Sequence, residues 1–156
     1  MNPKIITIPK KEIIGLSAIT QMGAHQDIPF LWKTFMPRKQ EINNTVSKAL
    51  IAMQIFSLQD DGQPKANYTI WACTEVNDFS KLPKGMETYT IPKGEYAVFV
   101  HKGMNASATY LQIMTEWLPT SGYEIDDRPH FQVMGDKYKN GSEASEEDFY
   151  VPVKSK

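Results

Sequence analysis

Apolar positions along this chain fall into two kinds of run, and the order of those runs repeats. Residues 4–7, 13–19, 68–76, 87–90, 96–100, 130–134 and 149–153 are rich in β-branched and aromatic side chains and read as strands. Ile42, Val46, Ala49, Leu50, Met53 and Phe56 recur at helical spacing, as do Tyr110, Leu111, Met114, Trp117 and Leu118. Asn105 is placed to cap the second of these helices, and Pro119 with Gly122 to stop it. Gly62 and Pro64 mark a loop after the first. Residues 57–60 offer one more short strand, and residues 136–148 a polar loop.

The repetition is literal at one point. Thr7-Ile8-Pro9-Lys10-Lys11-Glu12 returns as Thr90-Ile91-Pro92-Lys93-Gly94-Glu95, with five of six positions identical. A strand precedes and follows each copy. Proline cannot donate to a ladder, so Pro9 and Pro92 are expected in the turns of two hairpins. The expectation is an α+β fold: two β-β-α-β-β units, about residues 1–80 and 84–156, in one domain around a pseudo-two-fold axis. A cleft is expected at the seam between them. The first unit carries extra sequence, residues 27–37, with Asp27 as a candidate N-cap and Pro29 in the first turn. This segment, which holds Trp32, either covers core or roofs a pocket.

Composition narrows the function classes. With 17 Lys plus Arg against 18 Asp plus Glu, the net charge of -1 lacks the basic surface of a typical free-standing nucleic-acid binder. No apolar run is long enough to span a bilayer, and the N-terminus does not read as a signal peptide. The single cysteine, Cys73, rules out an intrachain disulfide and fits a cytoplasmic setting. His25, His101 and His130 have no partners at metal-ligand spacing, so neither metal nor cofactor is expected. Phosphate-binding glycine loops and a nucleophile elbow are also missing. Cys73 lies in a predicted strand and reads as a core residue rather than a nucleophile.

What stands out is aromatic and acidic. Alternation over residues 68–76 puts Thr69, Trp71, Cys73 and Glu75 on one face and Tyr68, Ile70, Ala72, Thr74 and Val76 on the other. A ring and a carboxylate on one face could hold a cation; equally, Trp71 could be core and Glu75 a rim residue. Glu116 lies at the edge of the helical stripe and reads as solvated, with a pocket acid as the other reading. Glu143, Glu146, Glu147 and Asp148 read as a solvated loop.

The second half resembles the GyrI-like small-molecule-binding domains, also called AraC-type or bacterial-activator effector-binding domains. The likeness rests on four ordered blocks: residues 91–103 (IPKGEYAVFVHKG), 116–123 (EWLPTSGY), 128–138 (RPHFQVMGDKY) and 145–153 (SEEDFYVPV). Leu31-Trp32 with Phe35, and Tyr68 with Trp71-Ala72, carry a looser match in the first half. The resemblance implies tandem SH2-like units and a central pocket, lined by aromatics, for amphipathic and often cationic or polyaromatic compounds. A buried Glu commonly attracts the cation there. Many relatives are fused to a DNA-binding domain; this chain resembles the stand-alone members.

The sequence departs from the family pattern at Gln132, which stands where the family has an acid. Gln keeps hydrogen-bonding capacity and loses the charge. The expected ligand-binding set is Trp32, Trp71, Glu75, Tyr96, Glu116, Trp117, Gln132 and Tyr138, with no metal. Met36, Met114 and Met134 would let the walls adapt. Binding or sensing a small molecule is the favoured function, linked to transcriptional regulation or to drug or toxin sequestration. A hydrolase of strained toxins, with Glu116 or Glu75 as acid/base, is the catalytic alternative. A protein partner, as in gyrase-inhibiting relatives, or a homodimer is left open. No direct contact with nucleic acid or membrane is expected.

Overall fold

The computed structural model describes residues 1–57, 59–60 and 65–156. Among the described residues, nine antiparallel strands and two α-helices make up the fold. They are β1 (Lys4–Ile8), β2 (Lys11–Gln21), α1 (Asp27–Phe35), β3 (Leu50–Ile55), β4 (Asn67–Val76), β5 (Glu87–Ile91), β6 (Gly94–Lys102), α2 (Ala106–Gln112), β7 (Tyr123–Ile125), β8 (His130–Met134) and β9 (Glu146–Ser155). The sheet runs β1-β6-β9-β8-β3-β4-β2-β5, with β7 added on β9. Exchanging the two halves leaves this order unchanged. The pseudo-two-fold axis therefore runs between β3 and β8.

The hairpins expected at Pro9 and Pro92 do not form. β1 pairs with β6 and β5 with β2, so each half lends its first strand to the other. In a flat sheet β1 and β2 would be six strand spacings apart, about 29 Å. Residues 8 and 11 are three peptide steps apart, a reach of about 11 Å at most. The sheet must therefore curl until its ends approach. The prolines still fit, because neither link has a ladder to donate to.

Curling gives the sheet an inner and an outer face. The inner face buries Ile8, Ile13, Ile51, Met53, Trp71, Cys73, Ile91, Tyr96 and Phe131 as one cluster. The outer face carries both helices. α1 packs Leu31 and Phe35 on Ile14, Ile70 and Ala72 of the first half. α2 and the turns after it pack Ile113 and Trp117 on Ala97, Phe99, Phe149 and Val151 of the second half.

The helix expected through Ile42, Val46, Ala49, Leu50, Met53 and Phe56 is not there. Leu50–Ile55 is the central strand β3, followed by no strand at Ser57, Gln59 or Asp60. Its inner residues Ile51 and Met53 and its outer residues Leu50 and Ala52 both need apolar character. A strand with apolar residues on both faces loses the simple apolar–polar alternation that would have marked it. The loop assigned to Gly62 and Pro64, and residue 58 of the extra strand, lie outside the described residues. The first-half helix is instead the aromatic segment, Asp27–Phe35. Gln26 takes the N-cap position, and Asp27 accepts a hydrogen bond of 2.6 Å from Thr20 Oγ1.

In the second half Asn105 caps α2 as expected, its Oδ1 accepting from the Ala108 N–H at 3.1 Å. Asn105→Ala should cost about 1 kcal/mol by chemical denaturation, and a change under about 0.3 kcal/mol would remove the cap from the stability argument. After α2 the chain makes a π turn (Ile113–Trp117) and a 3₁₀ turn (Leu118–Thr120). The buried stripe passes through Ile113, while Leu111, expected on it, is 63% exposed. β7 was not expected, and β9 begins at Glu146, within the predicted polar loop.

A candidate ligand site on the helix-bearing face

The middle of the outer face is left between the helices, because each helix sits on its own half. Strand alternation puts Ala52 and Gln54 of β3 and His130 and Gln132 of β8 there. Gln54 Nε2 donates to Gln132 Oε1 at 2.8 Å, and Gln132 Nε2 donates to Gln54 Oε1 at 2.9 Å. Each amide keeps a further N–H and a lone pair. The floor is thus neutral and able both to donate and to accept.

Aromatics wall this floor. Phe56 stacks on Tyr68 at 4.9 Å and meets His130 edge-on at 5.1 Å. Tyr110 of α2 shares a 2.8 Å hydrogen bond with His130 Nδ1. Burial pushes the His130 imidazole down to about 4, so it is neutral at pH 7, and holds the Tyr110 hydroxyl protonated. Gln54, Phe56, Tyr68, Tyr110 and Gln132 are half-buried, so the seam is open to solvent.

Further along the same face, His101 and Glu147 are cross-strand partners. His101 stacks on Phe149 at 5.0 Å, and its Nδ1 lies 2.8 Å from Thr109 Oγ1. Its buried Nε2 has no partner among the described residues. Glu147 is half-buried on the face that holds Gln132, two residues along β9 from Phe149, the residue opposite Gln132. Burial pushes its carboxyl up to about 6. Glu147 is therefore not the solvated loop residue expected, but a partly desolvated acid beside the seam.

The expected ligand-binding set is not gathered in one place. Trp71, Glu75 and Tyr96 share the inner face. There Trp71 contacts Tyr89 at 5.9 Å, Glu75 pairs with Lys11 at 3.2 Å, and the Tyr96 hydroxyl donates to the Pro129 carbonyl at 2.8 Å. Arg128 lies over the Tyr96 ring at 4.7 Å. Trp32 packs edge-on against Phe35 at 5.8 Å in the α1 cluster, and Trp117 against Phe99 at 5.1 Å in the α2 cluster. Glu116 is exposed on its helical turn. Tyr138 follows β8, its hydroxyl donating to Asn140 Oδ1 at 3.3 Å. Gln132 alone of the set lies at the centre of the seam.

The residues missed are Gln54, Phe56, Tyr68, Tyr110, His130 and Glu147. One signal was available for His130: it sits two residues from Gln132 and so shares its face. A cavity of about 580 Å³ lies away from the seam, between the N-terminal residues, the bare end of β6 and the side of α2. Among the described residues no group of His, Cys, Asp or Glu is placed to hold a metal ion, and no helix is long and apolar enough to cross a membrane.

Known proteins share this architecture. The transcriptional regulator BrlR of Pseudomonas aeruginosa is 25% identical over 160 residues, which cover 98% of this chain and 56% of BrlR. The chain thus spans about half the length of that regulator. SAV2435, solved bound to tetraphenylphosphonium, superposes with a TM-score of 0.69 at 17% identity over 99% of this chain and 94% of its own. The C-terminal domain of EcmrR gives 0.67 at 17% identity, over 99% and 98%. A hydrolase from Listeria innocua gives 0.56 at 14% identity, over 98% and 92%. These structural likenesses are likenesses of fold. The model of the GyrI-like small molecule binding domain matches residues 1–154, nearly the whole sequence, and the chain therefore belongs to that family of small-molecule-binding domains, related to the effector domains of transcription regulators.

Proposed function

We propose that residues 1–156 act as one effector-binding unit that holds an amphipathic aromatic cation between its two helices. The reading rests chiefly on one observation: a neutral Gln54–Gln132 floor walled by Phe56, Tyr68, Tyr110 and His130. Each ring stacked on a ligand ring adds about 0.5–1.5 kcal/mol beyond area burial, so a few rings give useful and tolerant affinity. Gln132 supplies no charge. Glu147 supplies it: burial has already stripped part of its hydration, and a cation restores what water no longer gives. The tetraphenylphosphonium bound to SAV2435 is a ligand of this chemical kind. In the cytoplasm, binding would sequester such a compound or report it to transcription.

The hydrolytic alternative finds no support in its two named acids. Glu116 faces solvent, and Glu75 is paired with Lys11 on the opposite face of the sheet.

Titrating tryptophan fluorescence with tetraphenylphosphonium and with a neutral polyaromatic of similar size tests the reading. Wild type should respond saturably and favour the cation. Glu147→Gln should weaken the cation about tenfold and spare the neutral compound, and Gln132→Glu should strengthen the cation by a similar factor. Equal affinity for both compounds would remove Glu147 as the counter-ion. No saturable response would sink the binding reading.

A further inference from the structure

Both helices pack on the outer face, so no helix covers the inside of the curl where β1 and β6 reach its rim. Strand alternation, carried along from the buried inner cluster, places Lys4 and Ile6 of β1, Val98 and Val100 of β6, and Asp148 and Tyr150 of β9 on that inner face. These six residues line the inner side of the cavity of about 580 Å³, a volume that suits a small molecule. Val100 is 61% exposed and Ile6 38%, so the floor is both apolar and within reach of solvent.

The floor carries one charge of each sign. Among the described residues lining the cavity, Asp148 is the only acid and Lys4 the only lysine or arginine. Neither has an ion-pair or side-chain hydrogen-bond partner among the described residues. Asp148 is half-buried, and its partners across the ladders are Val100 of β6 and Val133 of β8, which offer it no donor side chain. A carboxylate in such surroundings attracts a cation more strongly than one in open water. Beyond Asp148 a smaller hollow of about 350 Å³ sets Asp136, Glu146 and Glu147 against Lys137, so this end of the groove is net negative at pH 7.

The spacing of the two charges selects a ligand. Lys4, Val98 and Tyr150 lie in one row across the sheet, and Asp148 is two residues from Tyr150 along β9. Two strand spacings across and two residues along separate the Cα atoms of Lys4 and Asp148 by about 12 Å. An ion contact of about 3 Å at each end leaves about 6 Å between the charges of a molecule that bridges them. An extended dipeptide, two residues at about 3.5 Å each, holds its ammonium and carboxylate at most about 7 Å apart. We infer that this cavity binds an apolar dipeptide, with its ammonium on Asp148, its carboxylate on Lys4 and its side chains over Val98 and Val100. The site is separate from the seam, because it lies on the opposite face of the sheet.

Isothermal titration calorimetry of the full chain with leucyl-valine at pH 7 tests this. Wild type should bind the dipeptide saturably. Acetylating the dipeptide's amino group should weaken it about tenfold, the worth of a charge-assisted contact at a half-buried carboxylate. Amidating its carboxylate should weaken it about threefold, because Lys4 is exposed and its ion contact is worth less. Asp148→Asn should bind leucyl-valine about tenfold more weakly and lose the penalty for acetylation. Lys4→Gln should bind it about threefold more weakly and lose the penalty for amidation. Neither side chain is fully buried, so both variants should keep the wild-type circular dichroism spectrum. Tetraphenylphosphonium should not displace the dipeptide. Absence of saturable binding overturns the proposal, as does equal binding of the blocked dipeptides. So does a variant that keeps the full penalty at its own end, or displacement by tetraphenylphosphonium, which would place the dipeptide at the seam.

Discussion

Gly15→Ala is expected to destabilise the chain by about 3 kcal/mol, the upper end for overpacking a close contact. For a chain of this size that lowers the melting temperature by about 6–12 °C. Gly15 lies in β2 opposite Cys73 of β4. A Cβ at this position would lie 2.6 Å from both Cα and Cβ of Cys73 and would overlap the carbonyl oxygen of Ala72. Backbone atoms cannot rotate out of the way, so the strands would have to separate. A glycine inside a strand commonly marks such a close approach of backbone. Here it falls in a sheet that must curl to bring the Pro9 and Pro92 links within reach. Gly135→Ala is the control, because nothing lies within 4 Å of a Cβ built there. Thermal unfolding of both variants checks the claim. A Gly15→Ala protein within about 1 kcal/mol of wild type would mean that β2 and β4 can part at this point without loss.

The same region shows what a sequence can and cannot reveal. The echo between residues 7–12 and 90–95 marks the duplication, because a repeated phrase survives whatever its strands pair with. Pairing itself is invisible to such an echo. β1 next to β2 and β1 next to β6 need the same residues in β1, so the exchange of first strands left no trace. β3 was misread for a related reason. Both its faces carry apolar residues, and Leu50, Met53 and Phe56 fit a helical period as well as a strand's.

The site was legible at one residue and obscure elsewhere. Gln132 stood out as a departure inside a recognisable block, and it lies at the centre of the seam. Alternation along a single strand placed Trp71 with Glu75 correctly. It could not say that this face is the inside of a curl while Gln132 looks outward. That relation is set by the order of strands across the sheet. Helical spacing groups Tyr110 with Trp117, yet the Tyr110 hydroxyl reaches His130 at the seam. Glu147 was lost in an acidic run because its burial depends on β9 starting one residue before it.

Acid should unfold this protein through His130, and the loss should be partly masked by Glu147. His130 is held neutral by burial, with its value pushed down to about 4. In the unfolded chain it titrates near its ordinary value of about 6.5. Its contribution to stability is therefore complete above about pH 6.5 and is lost as pH falls towards 4. Holding the imidazole neutral down to about 4 corresponds to about 3 kcal/mol. His101, lowered by burial as well, acts in the same direction. Glu147 has the opposite sign. Its carboxyl is pushed up to about 6, so the folded state takes up a proton that the unfolded state does not yet hold. Acidification below about pH 6 thus favours the fold at Glu147 while it disfavours it at His130. Asp126, held low by Arg128, loses its contribution only at more acid pH than this window. Denaturant unfolding of Glu147→Gln should therefore show a steeper loss from neutral pH to pH 4 than wild type, approaching about 3 kcal/mol. Adding His130→Gln should flatten most of that slope. If the double variant loses as much stability as Glu147→Gln alone, His130 is not the acid-sensitive group. The site follows the same titration: a cation between the helices faces a neutral imidazole and an ionised Glu147 at pH 7, and towards pH 4 it would face a protonated carboxyl and a charging His130. Cation affinity should fall across the window in which the fold weakens, while a neutral aromatic ligand should lose only what the fold loses.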